Sequence, residues 1–372
     1  MHVALTHNLK REDPGEDGGN GSSELPLLGI RSDVPHTGSA HHVKIPPLVD
    51  TFAEWDSVET ITAVKSALER HHTVSLVEAD RYALEKLEAL KPDIVFNMAE
   101  GSNGPSREAQ IPMLLELLEV PYTGSDPLTL CICLDKSRTK EILMCHGIPT
   151  APFAVVSVKE ELQAVHLNYP LIVKPLYEGS SKGIFDSSVV RTPQQLDTEA
   201  LRVIESYRQP ALIEEFLSGR EFSVAMLENG GQLRVLPIIE SKFDHFPSHA
   251  SPINSFEAKW LWDTIDRPLD VLECPAKISS TLQREIENLC RQVFSILRCR
   301  DWCRIDLRLD AIGVPNILEV NPIPGVLPNP EEHSFFPTAA AAAGLSYDDM
   351  INEVLSAAVA RYKLSSSTRE AT

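Results

Sequence analysis

Two phosphate-binding signatures are missing from this 372-residue chain. No Gly-x-Gly-x-x-Gly follows the first strand-like run, which argues against a dinucleotide site there. No Gly-x-x-x-x-Gly-Lys-[Ser/Thr] occurs, so the P-loop architecture is not supported. No apolar stretch approaches ~18 residues, so no membrane span is expected. The N-terminus lacks a basic region followed by an apolar run, so no secretory signal is expected and the chain reads as cytoplasmic. The seven cysteines include no Cys-x-x-Cys pair. Cys131 and Cys133 are two apart, Cys299 and Cys303 four apart, and the rest are scattered, as for structural or incidental thiols in a reducing compartment. Positive charge is scarce: 34 Lys and Arg against 53 Asp and Glu give a formal net charge of −19. That excess argues against nucleic acid or an anionic membrane as the main partner, while leaving room for a local basic pocket for a small anion.

What is present is ordinary for a globular protein: 43% apolar and 23% charged residues. The length allows a large core in roughly two or three domains. His2 to His7 reads as a short buried strand. Residues 10–47, rich in Gly, Asp, Glu, Ser and Pro, have no usable periodicity and read as a long mobile loop. A β–α rhythm then begins: a helix over 53–70, a strand over 73–78, a helix over 82–90 and a strand over 93–98. Such alternation predicts parallel strands with crossover helices. The turn Glu100-Gly101-Ser102-Asn103-Gly104 falls at a strand's carboxyl end, where open α/β sheets place ligands. A helix over 109–118 and the loop Pro121-Tyr122-Thr123-Gly124-Ser125 complete a first unit, residues 1–133.

A second unit, 134–212, opens with a helix over 136–145 that Gly147 and Pro149 terminate. Strands over 153–157 and 171–175 flank another helix. A helix over 194–207 and a strand over 211–217 lead out of this lobe. The third unit, 213–363, is antiparallel at first, with strands over 221–227 and 233–240 and a helix over 281–297. Helices over 334–343 and 347–362 close the fold, and residues 364–372 read as a disordered tail.

The chain is organised around residues 304–325. Two alternating runs, Arg304-Ile305-Asp306-Leu307-Arg308-Leu309-Asp310 and Pro315-Asn316-Ile317-Leu318-Glu319-Val320-Asn321, flank a turn-like Ala311-Ile312-Gly313-Val314 and predict a β-hairpin. Residues two apart on a strand share a face, so Glu319 and Asn321 point the same way. With Asp306 across from them, two carboxylates and an amide oxygen converge, a donor set suited to Mg²⁺ with phosphate oxygens. Arg304 shares the Asp306 face and can hold a carboxylate by its planar fork. The alternative is a surface hairpin with solvated charges; Glu319, set inside an apolar run, needs a partner and weighs against it.

Lys174 ends the apolar run Leu171-Ile172-Val173 just before Glu178-Gly179-Ser180-Ser181-Lys182-Gly183. Glycines that admit backbone N–H groups and two serine hydroxyls make a phosphate cradle; a plain surface turn is the other reading. Glu214 to Leu217, followed by Gly219-Arg220-Glu221, can offer backbone groups to an adenine and a carboxylate to a ribose, or is an acidic strand end. His245, His249 and His333 lack ligand spacing and read as loop histidines.

Taken in order, Lys136, Leu171-Ile172-Val173-Lys174-Pro175 with Glu178-Gly179-Ser180-Ser181, the run 213–222, and Arg304-x-Asp306…Glu319-x-Asn321-Pro322-x-Pro324-Gly325 resemble the ATP-grasp enzymes. The closest resemblance is to the D-alanine–D-alanine ligases. Glu257-Ala258-Lys259, Pro121 to Ser125, and His333-Ser334 extend it over nearly the whole chain after about Ala53. The resemblance implies an ATP-grasp architecture: a parallel α/β domain followed by two lobes that clasp ATP, α/β in class with an α+β C-terminal part.

It also implies roles. Lys136, Lys174 and Lys259 would bind ATP phosphates, with Ser180 and Ser181 in the covering loop. Glu214 and Leu217 would lie at the adenine, Glu221 at the ribose, and Leu318 in the nucleotide site. Asp306, Glu319 and Asn321 would hold a pair of Mg²⁺ ions, or Mn²⁺ in their place. Arg304 and the Gly325 N–H would stabilise the oxyanion of acyl transfer. Lys259 and Ser180 would act with them, and Ser334 would take the second amino acid's carboxylate. The implied reaction is ATP-dependent ligation of two amino acids through an acyl phosphate, by a cytoplasmic protein with small-molecule partners; dimers are common in the family. The glycine-rich loop and residues 243–262 are the candidate lids that would keep water out.

Four departures stand against the family pattern. The Gly-Gly-x-Ser-x-Glu turn, whose glutamate grips the first substrate's amino group, is replaced by Asn8-Leu9-Lys10-Arg11-Glu12. The His-Gly turn after the third strand becomes Glu100-Gly101. Trp260 follows the lid lysine where a tyrosine is usual. Extra residues at about 328–331 separate Gly325 from His333-Ser334. Glu100 or Glu108 is therefore the expected amine ligand. Two alternatives remain: the same mechanism with other amino-acid or peptide substrates, and a nucleotide-binding protein without catalysis.

Overall fold

The computed structural model describes residues 1–10, 50, 52–102, 104–247, 250–259 and 271–364. Most of the expected 10–47 loop, Trp260 with the end of the 243–262 lid segment, and the tail beyond Leu364 lie outside the described residues. The chain begins with β1 (His2–His7), then α1 (Val58–Glu69), β2 (Thr73–Glu78), α2 (Ala83–Leu90) and β3 (Ile94–Asn97). The strands form a parallel sheet in the order β2-β1-β3, as the β–α alternation predicts. The expected helix over 53–70 is shorter than its apolar spacing suggests. Ser57, in extended conformation, accepts from Thr60 N and caps α1 there, which frees residues 52–56 for other contacts.

A short 3₁₀ turn, Arg107–Ala109, leads into α3 (Gln110–Leu117), followed by α4 (Pro127–Leu134) and α5 (Lys136–Cys145). The sequence reading has no counterpart of α4. Its run Pro-Leu-Thr-Leu-Cys-Ile-Cys-Leu is apolar all round and shows no amphipathic period, though Asp126 caps it and Pro127 starts it. Asp135 ends α4 and caps α5, accepting from Ser137 N and Arg138 N. That cap aims the first turn of α5, with Lys136, at the interior.

The central lobe holds β4 (Phe153–Val156), β5 (Leu171–Pro175), β6 (Val189–Val190), α6 (Pro193–Tyr207) and β7 (Ala211–Glu215). Its antiparallel sheet runs β4-β7-β5-β6, with α6 packed on one face through Leu196, Ala200 and Val203. The connection from β4 to β5 is a 3₁₀ segment, Lys159–Ala164.

The last lobe contains β8 (Glu221–Leu227), β9 (Arg234–Val235), β10 (Ile239–Ser241), β11 (Leu272–Glu273), α7 (Ser280–Ile296), β12 (Trp302–Leu309) and β13 (Pro315–Asn321). The expected strand over 233–240 is split into β9 and β10, with Pro237, which has no N–H to give a ladder, between them. The sheet order is β11-β10-β8-β12-β13, with β9 paired to β8. Helix α7 buries Ile286, Leu289, Cys290 and Val293 against it. The closing helices, α8 (Phe335–Ala342) and α9 (Tyr347–Tyr362), turn back to the first sheet. One core cluster joins Val3, Leu5 and Phe96 to Trp302, Phe336 and Val354. The ends of the chain thus share a core, and a cleft is lined by strands of both antiparallel sheets together with residues 53–56 and Glu100. Among the described residues no helix is long and apolar enough to cross a membrane.

Candidate active site

The predicted hairpin is formed by β12 and β13. Arg304 pairs with Asn321 and Asp306 with Glu319; the register then slips, so that Leu307 faces Ile317 and Leu318 is left over. This bulge breaks the strict alternation of β13. Ile317 and Val320 go to the core, while both Leu318 and Glu319 line the cleft. Ser223, opposite Asp306 on β8, donates to Asp306 Oδ1 at 2.6 Å. Arg304 Nε lies 3.1 Å from each Asp306 oxygen and its Nη2 2.9 Å from Oδ2. Asn321 Nδ2 donates to the same Oδ2 at 3.1 Å. Arg304 Nη2 is 3.8 Å from Glu319 Oε1, and Lys136 Nζ is 3.5 Å from Glu319 Oε2.

Burial works to raise the Glu319 carboxyl, but Lys136, Arg304 and Lys174 outweigh it and hold it at about 2. Burial raises the Asp306 carboxyl above its ordinary value even against Arg304. Two carboxylates and an amide oxygen form a hard donor set with room for phosphate oxygens, which fits Mg²⁺. Among the described residues no group of three or more His, Cys, Asp and Glu is arranged for a metal. A cation here would therefore depend on its phosphate partner; His249 lies outside the described residues.

Lys174 and Glu214 lie on adjacent strands, and both Lys174 and Lys140 form ion pairs with the Glu214 carboxylate. Glu214 is only 1% exposed, and burial raises its carboxyl, yet the two ammonium groups hold it below the ordinary range. Lys140 also donates to Thr150 Oγ1 at 2.5 Å, and Thr150 donates to Ile317 O at 2.8 Å, linking α5 to the hairpin. The sequence reading missed Lys140. It stands four residues after Lys136 on α5, the spacing that shares a helix face.

Lys136 also donates to Glu178 O at the mouth of the glycine-rich loop. In that loop Ser180 and Ser181 both have positive φ, 48° and 61°. Ser181 Oγ donates to Asn254 O at 2.7 Å. Asn254 in turn donates to Glu221 Oε1 at 2.6 Å, and Arg308 Nη1 lies 2.9 Å from Glu221 Oε2. Asn254 and Arg308 are further cleft residues that the sequence reading did not single out. Lys259 lines the same cleft, and burial, aided by Arg304, pushes its ammonium down to about 8.

The cleft has a volume of about 420 Å³. Ile172, Leu217 and Leu318 give it an apolar part, and Lys174, Glu221, Arg304, Asp306 and Glu319 a charged one. Trp55, Asp56, Glu100, Gly325 and Ser334 line it as well. Ser334 Oγ donates to Gly325 O at 3.2 Å and accepts from Leu327 N at 3.3 Å. Glu100 and Glu108 share a smaller recess with Lys136 and Gly325. Burial first, then Glu54 and Glu108, keep the Glu100 carboxyl well above its ordinary value. Burial lifts Glu108 to about 7 against Arg107, and burial alone lifts Asp56 to about 8. Every candidate site residue named from the sequence therefore borders the cleft or its recess. Glu54 and Asp56 are additional lining residues, and Arg107 donates to Glu54 from behind them. The helix expected over 53–70 would have hidden two of them; Ser57 sets them free.

A family profile described as "D-ala D-ala ligase C-terminus" matches residues 142–356. An uncharacterised protein of Sinorhizobium fredii is 36% identical over 83% of this chain and 90% of its own length. The D-alanine–D-alanine ligase of Cupriavidus pinatubonensis is 34% identical over 74% of this chain and 79% of its own; that of Pelotomaculum thermopropionicum is 32% identical over 82% and 92%. Among solved structures, the Bacillus anthracis D-alanine–D-alanine ligase complexed with ATP superposes with a TM-score of 0.65 at 18% identity, covering 98% of this chain and 99% of that one.

Proposed function

The chain belongs to the D-alanine–D-alanine ligase family, and on that premise we propose that it joins two amino acids, D-alanine in the first instance, in an ATP-dependent ligation. The observation that carries the reading is the convergence of Asp306, Glu319 and Arg304 in a cleft that Lys174 also lines, with Lys136 3.5 Å from Glu319 in the adjoining recess. The apolar part, with Ile172, Leu217 and Leu318, takes the adenine, and Glu221 the ribose. Lys136, Lys174 and Lys259 meet the phosphates under the loop that carries Ser180 and Ser181. Asp306, Glu319 and the Asn321 amide oxygen would hold Mg²⁺, which when bound neutralises phosphoryl oxygens.

The first amino acid lies toward Glu100, whose carboxyl gives up its proton as the ammonium group pairs with it. Its own carboxylate attacks the γ-phosphorus, the bond to ADP breaks, and an acyl phosphate forms. Ser334 holds the carboxylate of the second amino acid. The second amino acid's neutral amine attacks the acyl carbon; Arg304 and the Gly325 N–H meet the oxyanion, and the C–O bond breaks as phosphate leaves carrying one amine proton, with the C–N bond formed. Closure over the cleft keeps water from the acyl phosphate.

An isotope experiment tests the sequence of steps. With D-alanine labelled with ¹⁸O in its carboxylate, one labelled oxygen appears in the released phosphate. Unlabelled phosphate alongside dipeptide would overturn the acyl-phosphate route.

A second substrate reading is favoured by one feature. Asp56, Glu100 and Glu108 crowd the first-substrate end with carboxyl groups raised by burial, where the family uses a single glutamate from a Gly-Gly turn. That end suits a first amino acid other than D-alanine, with the same chemistry. A faster rate with another pair than with D-alanine alone would establish it.

A further inference from the structure

We propose that Asp50 and Glu54 are positioning residues that grip the glycine-rich loop at its two ends and tie its closure to the first-substrate side of the cleft. The role of the loop rests on the ligase reading; the grip itself does not. Glu54 Oε1 accepts from Gly179 N at 2.6 Å and from Arg107 Nη2 at 2.6 Å. Asp50 Oδ2 accepts from Gly183 N at 2.8 Å and from the Tyr207 hydroxyl at 2.6 Å. The two carboxylates are buried, Asp50 at 1% and Glu54 at 9% exposure. They stand four residues apart, and so do the two amides they hold.

Between those amides sit Ser180 and Ser181, both in the left-handed region. Two consecutive non-glycine residues there persist only when their surroundings impose the conformation. The flanking bonds to Asp50 and Glu54, with the Ser181 bond to Asn254 O, supply that restraint. A Cβ at Gly179 would lie 2.9 Å from Glu54 Oε1, so the glutamate is seated directly on the backbone.

The other partners of Glu54 lead to the first-substrate side. Arg107 Nη1 donates to Tyr177 O at 2.6 Å and its Nη2 lies 3.5 Å from Glu178. Lys182, inside the loop, is 2.9 Å from Glu178 and 4.0 Å from Glu54. Two acids and two cations thus balance across the loop base. Trp55, the next residue, donates to Gly101 O at 3.2 Å, beside Glu100. A ligand that shifts Trp55 or Glu100 pulls on the same backbone that seats Glu54, and so on the loop.

The test uses the full chain and two nearly isosteric changes, Glu54→Gln and Asp50→Asn. Wild type is expected to release one phosphate per dipeptide. In each variant the loop opens more often, so phosphate released without dipeptide rises severalfold and the KM for ATP rises roughly tenfold, with the thermal midpoint little changed. Trypsin reads the loop without activity: cleavage after Lys182 should be several times faster in both variants than in wild type. Hydrogen exchange needs no variant, and the Gly179 and Gly183 amides of the wild type should be protected against the free-loop rate. Unprotected amides, or folded variants with wild-type coupling and wild-type cleavage at Lys182, would overturn the proposal. If wild type releases no phosphate with any amino acid, the ligase reading falls, and exchange and cleavage still decide the grip.

Discussion

Asp306 and Glu319 face each other across β12 and β13, and the bulge that follows them turns Leu318 into the cleft beside Glu319. One extra residue therefore puts an apolar side chain and a carboxylate next to each other on one wall. On the proposed function, that wall would receive a nucleotide's base and its phosphate-bound cation together. A regular strand would send Leu318 to the core side and separate the two functions.

Glu319→Gln keeps the shape of that wall and removes its charge. The Mg²⁺ concentration for half-maximal activity should rise by about tenfold or more, and kcat should fall roughly 10²-fold. Steady-state rates over a Mg²⁺ titration check both. An unchanged Mg²⁺ requirement would remove Glu319 from the cation site.

Arg304→Lys keeps a positive charge but loses the planar fork that spans both Asp306 oxygens. The expected result is a kcat lower by about 10²-fold with the KM for ATP changed by less than about threefold. A rise in that KM with kcat intact would make Arg304 a ground-state ligand instead.

Lys140→Met leaves the buried Glu214 carboxylate paired with the Lys174 ammonium alone of the two. Breaking a buried ion pair on one side costs about 3–5 kcal/mol, which denaturant unfolding would register. The double change Lys140→Met with Glu214→Gln should recover much of that loss. Additive losses would show that the two side chains do not act as a pair.

Stability should fall as pH rises from 5 to 8. Unfolded Asp56 titrates near 3.8, whereas burial lifts the folded carboxyl to about 8. Between those values the folded state binds the extra proton, so the stabilisation present at low pH is lost through about pH 8. Glu100 and Glu108 act in the same direction; His72, lowered by burial, opposes them near its ordinary pH range. The melting temperature of Asp56→Asn should slope less steeply over this window than that of the wild type. Parallel slopes would contradict the assignment.

Much of this was legible in the sequence because it is local. The β–α alternation, the boundaries of α5 and α9, and the hairpin carrying Asp306 and Glu319 all follow from periodicity, caps and turns. Helix α4 was not, because a helix apolar on every side has no moment to detect. The bulge at Leu318 was not, because register depends on β8 as well as on the hairpin. The Glu54 contacts with Gly179 and Arg107 span 125 and 53 residues of chain; no local pattern encodes them, and a single Ser57 cap decides whether Glu54 is inside a helix or free to reach the loop.

The most direct measurement is phosphate and dipeptide release from ATP, Mg²⁺ and D-alanine, beside D- and L-amino acids singly and in pairs, with Asp306→Ala as control. The account predicts equal amounts of phosphate and dipeptide with D-alanine or one other pair, and loss of both in Asp306→Ala. Absence of amino-acid-dependent phosphate release across the whole set, or equal turnover in Asp306→Ala, would contradict it.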